Sequence, residues 1–157
     1  MKIFSPLATL LMLASLTGFQ AQAGSRQVID ANGQPQSVPD APRRVVVLSE
    51  LDLDSALTLG VQPVGTVNGR GQSTLPRYLL DKAGKEIAVV GDLDNPNLET
   101  LIDLEPDLIL TGQTKPELLA LLKEIAPTVV TGNWGEPWKT VFGRSADAMN
   151  RGAEAKA

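Results

Sequence analysis

Ser49, Glu50 and Asp52 form the densest group of reactive side chains, directly after the apolar run that starts at Val45. A serine among carboxylates has a nucleophile without its base. The chain has no His and no Gly-x-Ser-x-Gly elbow, so a serine triad is excluded. Asp52 reads instead as a helix N-cap. Gly69-Arg70-Gly71-Gln72-Ser73-Thr74 sits between a strand and a helix, where a phosphate-cradling loop belongs. Its sixth position is Thr74 rather than Gly, and no Gly-Lys-Ser/Thr follows anywhere, so the dinucleotide fingerprint fails. As a generic ligand loop the segment stands, because open α/β sheets bind ligands at the carboxyl ends of their strands. Asp92 and Asp94 have the alternation of a calcium loop, but Pro96 interrupts the ligand series and a solvated turn is expected. With no His and no Cys, the commonest metal ligand, general base and disulfide are all removed. Of the two Trp, Trp138 keeps helical register with Val141 and Phe142 and is expected in the core. Trp134, between Gly132 and Gly135, is placed to line a ligand site.

The elements that must position these residues follow from periodicity. Gln27–Asp30 and Gln36–Val38 flank Asn32-Gly33 as a short hairpin. After a Pro-bearing linker through Arg43, the continuous apolar run 45–48 predicts a strand buried on both faces, and further strands are expected at 63–67, 87–90, 108–110 and 128–130. Between them lie amphipathic stretches. Leu53, Ala56, Leu57 and Gly60 define a first helix with a glycine stop. A short helix is expected over 75–83, and another from Leu98 to Glu105-Pro106. Thr114-Lys115-Pro116-Glu117 reads as a capping box opening a helix through Leu118, Leu121, Leu122 and Ile125. From Pro137 a last helix is expected to run without a stop to Ala157. Strands alternating with helices predict an α/β fold, an open parallel sheet with helices on both faces.

Lys2, the apolar stretch Ile3–Phe19 and Ala21-Gln22-Ala23 have the layout of a secretory signal, so 1–23 is expected to be cleaved and the mature chain to be periplasmic. The stretch is too short and interrupted for a span of about 20 residues, and no Cys follows it to take a lipid. Net charge is −4 with no basic run, which argues against nucleic acid and anionic membranes as partners.

Four stretches together resemble the iron–siderophore branch of the substrate-binding proteins of ABC importers. They are Arg44-Val-Val-Val-Leu-Ser49, Ala56-Leu-Thr-Leu-Gly-Val-Gln-Pro-Val-Gly65, Asn97-Leu-Glu-Thr-Leu-Ile-Asp-Leu-Glu-Pro-Asp-Leu-Ile-Leu110 and Leu121-Leu-Lys-Glu-Ile-Ala-Pro-Thr128. The helix-to-strand junction ending Pro-Asp-Leu-Ile is the most specific. Thr74-Leu-Pro-Arg-Tyr-Leu79 adds the loop segment of the siderophore members. In that family two α/β lobes are joined by a long helix and the ligand lies between them. The resemblance implies an N-terminal lobe at 44–136, preceded by hairpin and linker at 24–43. It is followed at 137–157 by the start of the inter-lobe helix, interrupted so that Met149 is partly exposed and the helix end frays.

The resemblance also implies residues. Ligand contacts come from the loops after the strands, which gives Ser49, Glu50, Asn68, Gly69, Arg70, Arg77, Gln113 and Trp134. Arg70 and Arg77 are preferred because iron–siderophores are often anionic and Arg offers permanent, bidentate charge. Gln113 stands where some catecholate binders carry Arg. A carboxylate that docks on permease arginines falls on Glu99, although an acidic residue in a first helical turn also suits the helix dipole. The function implied is binding of a ferric siderophore by a monomer and delivery to an ABC importer, without catalysis, cofactor or resident metal. Cobalamin and haem are the alternatives within the family, Tyr78 being the one tyrosine for a haem iron. A fragment without activity and a small periplasmic enzyme working through carboxylate, Lys, Ser or Tyr78 complete the set.

Overall fold

The computed structural model describes residues 24–69, 71–83 and 86–156. The leader read at 1–23, Arg70 and Ala157 lie outside the described residues. Hairpin strands β1 (Ser25–Ile29) and β2 (Pro35–Pro39) precede an alternation of β3 (Val45–Val47), α1 (Glu50–Thr58), β4 (Gly65–Thr66), β5 (Ala88–Val89) and α2 (Leu98–Asp103). It continues through β6 (Leu108–Gly112), α3 (Pro116–Ile125), β7 (Thr128–Gly132) and α4 (Trp138–Ala148).

β3 to β7 form one five-stranded parallel sheet in the order β5-β4-β3-β6-β7. The chain winds outward from β3 through β4 to β5, then returns to the other side of β3 for β6 and β7. The winding therefore reverses between β3 and β6. Their carboxyl ends diverge into a crevice, the usual ligand position in such sheets.

Side chains alternate across the pleat. Val45, Val47, Leu108, Leu110 and Val129 pack under α1, α4 and the hairpin residues Val28 and Val38. Val46, Leu48 and Ile109 face the opposite way, against Leu101 of α2 and Leu122 of α3. Strands covered on both faces have no polar face to present, which is why their sequences are runs rather than alternations.

The Pro-Asp-Leu-Ile junction has a specific task. The Asp107 carboxylate accepts the backbone N–H groups of Arg43 and Arg44 at 2.7 and 2.9 Å. The Arg44 guanidinium donates to the Leu104 and Glu105 carbonyls at the end of α2. Arg44 and Asp107 thus cross-tie the entries of β3 and β6, and a cation meets the negative end of a helix.

Several local expectations are corrected. Ser49, not Asp52, is the N-cap of α1, its side chain accepting the Asp52 N–H at 3.1 Å. The helix over 75–83 is replaced by turns and a 3-10 segment at Arg77–Leu79. Pro76 precludes an earlier start, and so short a helix is marginal without its first turn. Leu75, Leu79 and Ala83 nevertheless reach the core. At α3 the N-cap is Lys115 with no side-chain cap bond, so Thr114 and Glu117 form no capping box. Pro116 takes the first helical position, where its missing N–H costs nothing. The hairpin strands lie where expected, joined by the five residues 30–34. The buried Asp30 carboxylate accepts N–H groups of Asn32 and Gln34 and the Gln36 amide, and Gly33 adopts φ +74°.

The largest correction concerns the last helix. α4 stops at Ala148, with Met149 as its C-cap and Asn150 at φ +56°. Arg151 N–H reaches the Ala146 carbonyl at 2.7 Å and Asn150 N–H reaches Asp147 at 3.1 Å, the paired closure of a Schellman motif. Asn tolerates this left-handed position, so Asn150 is the stop signal that the expectation of an uninterrupted helix lacked. Arg26 from β1 adds a cap, donating to the carbonyls of Asp147 and Ala148. Met149 is 2% exposed, not partly exposed, and belongs to the core. Trp138 is 61% exposed rather than buried. It is the first residue of α4, and side chains lean toward a helix N-terminus, which carries this one past the last core layer. Its ring meets Phe142 edge-on at 6.4 Å and carries Lys139 Nζ at 5.7 Å.

Candidate ligand-binding groove

A groove of about 310 Å³ opens at the carboxyl edge of the sheet. Ser49 and Glu50 enter it from the end of β3, Asn68 from the loop after β4, Gly112 and Gln113 from the end of β6, and Thr131 to Glu136 from the end of β7. One edge must collect all these segments because the strands are parallel. The register shift between Thr111 and Gly112 leaves Thr131 of β7 as the extra residue, a bulge in β7 beside the site.

Of the residues expected at a ligand site, Ser49, Glu50, Asn68, Gln113 and Trp134 line this groove. Gly69 and Arg77 do not. Gly69 is buried under its loop, where a Cβ would lie 3.1 Å from the Pro76 backbone. Arg77 is exposed, but its neighbour Tyr78 takes the inward direction, and successive residues of a tight helical turn cannot share one. Arg70 is outside the described residues. Among the described residues, then, no Arg or Lys lines the groove, and its charged members are Glu50 and Glu136.

Trp134 is 77% exposed, standing up from the rim with its backbone N–H on Gln113 Oε1 at 3.1 Å. Glu136 is held by Arg144 through two contacts of 2.8 and 2.9 Å and accepts the Asn133 N–H at 2.7 Å. The Arg144 bonds, then the Asn133 N–H, lower the Glu136 carboxyl to about 2. Arg144 is raised in turn by that partner. Tyr78 lies across the groove, 63% exposed. Partial burial, then the negative charges of Glu50 and Asp54, push its phenol upward, so it stays a neutral hydrogen-bond donor near pH 7.

Below the floor lies Asp52, fully buried. Its Oδ2 accepts from Ser49 Oγ at 2.6 Å and Thr131 Oγ1 at 3.0 Å, and its Oδ1 accepts from Ser145 Oγ at 2.7 Å. Burial raises the carboxyl, with the three hydroxyls opposing that rise. Sequence reasoning missed Thr131, Asn133 and Glu136 as groove residues, although the strand-end rule that selected Gln113 also covers the end of β7. The Glu136–Arg144 pair and the Asp52 hydroxyl cluster had no spacing to announce them. Glu99 is exposed in the first turn of α2, away from the groove, and has no ion-pair partner among the described residues.

An open parallel sheet whose strand-end loops form a polar and aromatic groove at the switch point defines an α/β lobe of the doubly wound class. The chain belongs to the periplasmic binding protein family, whose family model matches residues 45–157. It is 33% identical over 133 residues to the probable siderophore-binding lipoprotein YfiY of Bacillus subtilis, covering 84% of this chain and 41% of that protein. It is 34% identical to the petrobactin-binding protein YclQ of the same organism over 66% of this chain and 32% of that one. Among solved structures, Staphylococcus aureus SirA complexed with staphyloferrin B superposes with a TM-score of 0.73 at 29% identity, covering 83% of this chain and 44% of SirA. The YclQ structure gives 0.71 at 25% identity, covering 85% of this chain and 48% of that one. The chain thus spans less than half the length of these relatives. Among the described residues no helix is long and apolar enough to cross a membrane.

Proposed function

We propose that this chain supplies one wall of a ferric-siderophore site in the periplasm and hands its ligand to an ABC importer, without catalysing a reaction or holding a cofactor. The observation that carries this reading is the convergence of Ser49, Asn68, Tyr78, Gln113 and Trp134 on one groove at the switch point of the sheet. Neutral polar side chains and an exposed indole suit a bulky complex whose surface is ligand oxygens and flat organic arms. The relatives named for siderophores support it. A haem iron held by Tyr78 would need a phenolate, which the neighbouring Glu50 and Asp54 oppose. Glu99 stands exposed in the first turn of α2, beside a second groove lined by Leu98, Ile102, Pro106, Leu121 and Ile125 with the carboxylates Glu105 and Glu124. We assign that face to the permease, with Glu99 presented to its arginines.

The test is amide and indole NMR of the chain titrated with gallium(III) complexes of citrate, a trihydroxamate and a triscatecholate, diamagnetic stand-ins for iron. Shifts confined to Ser49, Asn68, Gln113 and the Trp134 indole are expected. Shifts mapping elsewhere, or none at millimolar complex, would overturn the reading.

A further inference from the structure

The hydroxyls around Asp52 each have two places to send their single proton. Thr131 Oγ1 lies 3.0 Å from Asp52 Oδ2 and 3.1 Å from the Thr111 carbonyl. Ser145 Oγ lies 2.7 Å from Asp52 Oδ1 and 2.9 Å from the Val141 carbonyl. Either hydroxyl stays satisfied if Asp52 stops accepting. Ser49 differs. Its oxygen accepts the Asp52 N–H at 3.1 Å, its proton goes to Asp52 Oδ2 at 2.6 Å, and its remaining outlet is the groove it lines. While Asp52 is ionised, Ser49 therefore shows the groove a lone pair and no donor.

We propose that Asp52 is a positioning residue that switches Ser49 from acceptor to donor, so that a ligand oxygen docking on Ser49 is bound together with one proton. The proton comes from solvent and forms an O–H bond at Asp52 Oδ2. That hydroxyl donates to Ser49 Oγ, and the Ser49 O–H turns, unbroken, toward the ligand. The net change is one proton taken up and one buried negative charge removed. The inference rests on the ligand-binding reading of this groove.

The surroundings leave Asp52 free to titrate by itself. On α1 its charged neighbours are Glu50 and Asp54. From α4 comes Arg144, whose guanidinium is committed to Glu136 and the Thr131 carbonyl. From the hairpin comes Asp30, engaged with its own loop. No cation among the described residues forms an ion pair with Asp52. Burial raises the Asp52 carboxyl, in the direction of the protonated form, against the three hydroxyls that donate to it.

Two measurements test this. In the full chain, the Asp52 carboxyl is followed against pH by carbon NMR in wild type and Ser49→Ala. Losing the Ser49 donor is expected to move the Asp52 midpoint further up, and an unmoved midpoint would overturn the coupling. Next, the dissociation constant of a gallium(III) trihydroxamate, which neither gains nor loses protons over the range, is measured by NMR titration at several pH values. One coupled proton weakens binding about tenfold per pH unit above the Asp52 midpoint, and Asp52→Asn, whose amide mimics the protonated acid, flattens the dependence. A wild-type constant that stays flat while Asp52 titrates would overturn the proposal. If no gallium complex binds, the siderophore reading falls, and the carboxyl titration still decides whether Asp52 and Ser49 are coupled.

Discussion

Arg144 meets Glu136 with two nearly parallel contacts, 2.8 and 2.9 Å long, that fasten α4 to the loop forming one rim of the groove. The same guanidinium reaches the Thr131 carbonyl at 3.1 Å. One side chain thereby fixes both the floor and the rim contributed by β7.

That pair sets an acid limb. Glu136 titrates at 4.5 when unconstrained and at about 2 in the fold. Its folded value is depressed, so its contribution is complete above 4.5 and is lost as pH falls from there toward 2. Chemical denaturation at stepped pH should show Glu136→Gln less stable than wild type near neutrality, with the difference vanishing over that window. A constant difference would mean the pair carries no pH dependence.

Asp52 has the opposite sign. Its folded carboxyl is raised above 3.8, so its ionisation opposes folding, and stability falls as pH rises from 3.8 through the folded midpoint. Asp52→Asn lacks this fall. The stability of the variant relative to wild type should therefore decline on acidification, read from thermal unfolding at matched ionic strength.

Arg26 ties the hairpin to the end of α4 through the Asp147 and Ala148 carbonyls. Arg26→Ala should cost about 1.5–3 kcal/mol, the range for hydrogen bonds involving a charged group. Hydrogen exchange should speed up in the last turn of α4 and in β1, and remain unchanged in β3 and β6.

Gly132 lies against α4, and a Cβ there would sit 2.7 Å from Val141 Cγ2 and 3.3 Å from Cγ1. Valine is stiff at χ1, so Gly132→Ala should destabilise by about 1–3 kcal/mol through overpacking. Because Gly132 and Val141 both line the groove, ligand-induced shifts of the Trp134 indole should change as well.

The groove lies at the surface of a chain that spans less than half the length of the relatives it matches. We expect this chain alone to bind ferric siderophores at least about 100-fold more weakly than a full-length relative, or about 2.8 kcal/mol. Loss of contacts is not matched by a smaller association cost. Side-by-side fluorescence titration, with Trp134→Phe as the control, makes the comparison. Equal affinities would show that the groove suffices.

The α/β class, the five strands and the strand-end rule that placed Ser49, Asn68, Gln113 and Trp134 at one edge were legible in the sequence. They rest on local properties: runs of Val, Ile and Leu need burial on both faces, and parallel strands deliver their ends to one side. The start of α3 at Pro116 is equally local and legible, without the capping box expected beside it, whereas the helix stop at Asn150 is local too but Asn signals more quietly than Gly. Other features belong to tertiary structure alone. Asp52, Thr131 and Ser145 stand far apart in sequence, as do Arg26 and Ala148, and no periodicity links them. Trp138 carries a core-like spacing but sits where α4 overruns the sheet, and only the packed dimensions decide that. Burial works against the Asp52 carboxylate and three hydroxyls work for it; only the packed fold both excludes the water and brings those donors together, so local sequence encodes neither.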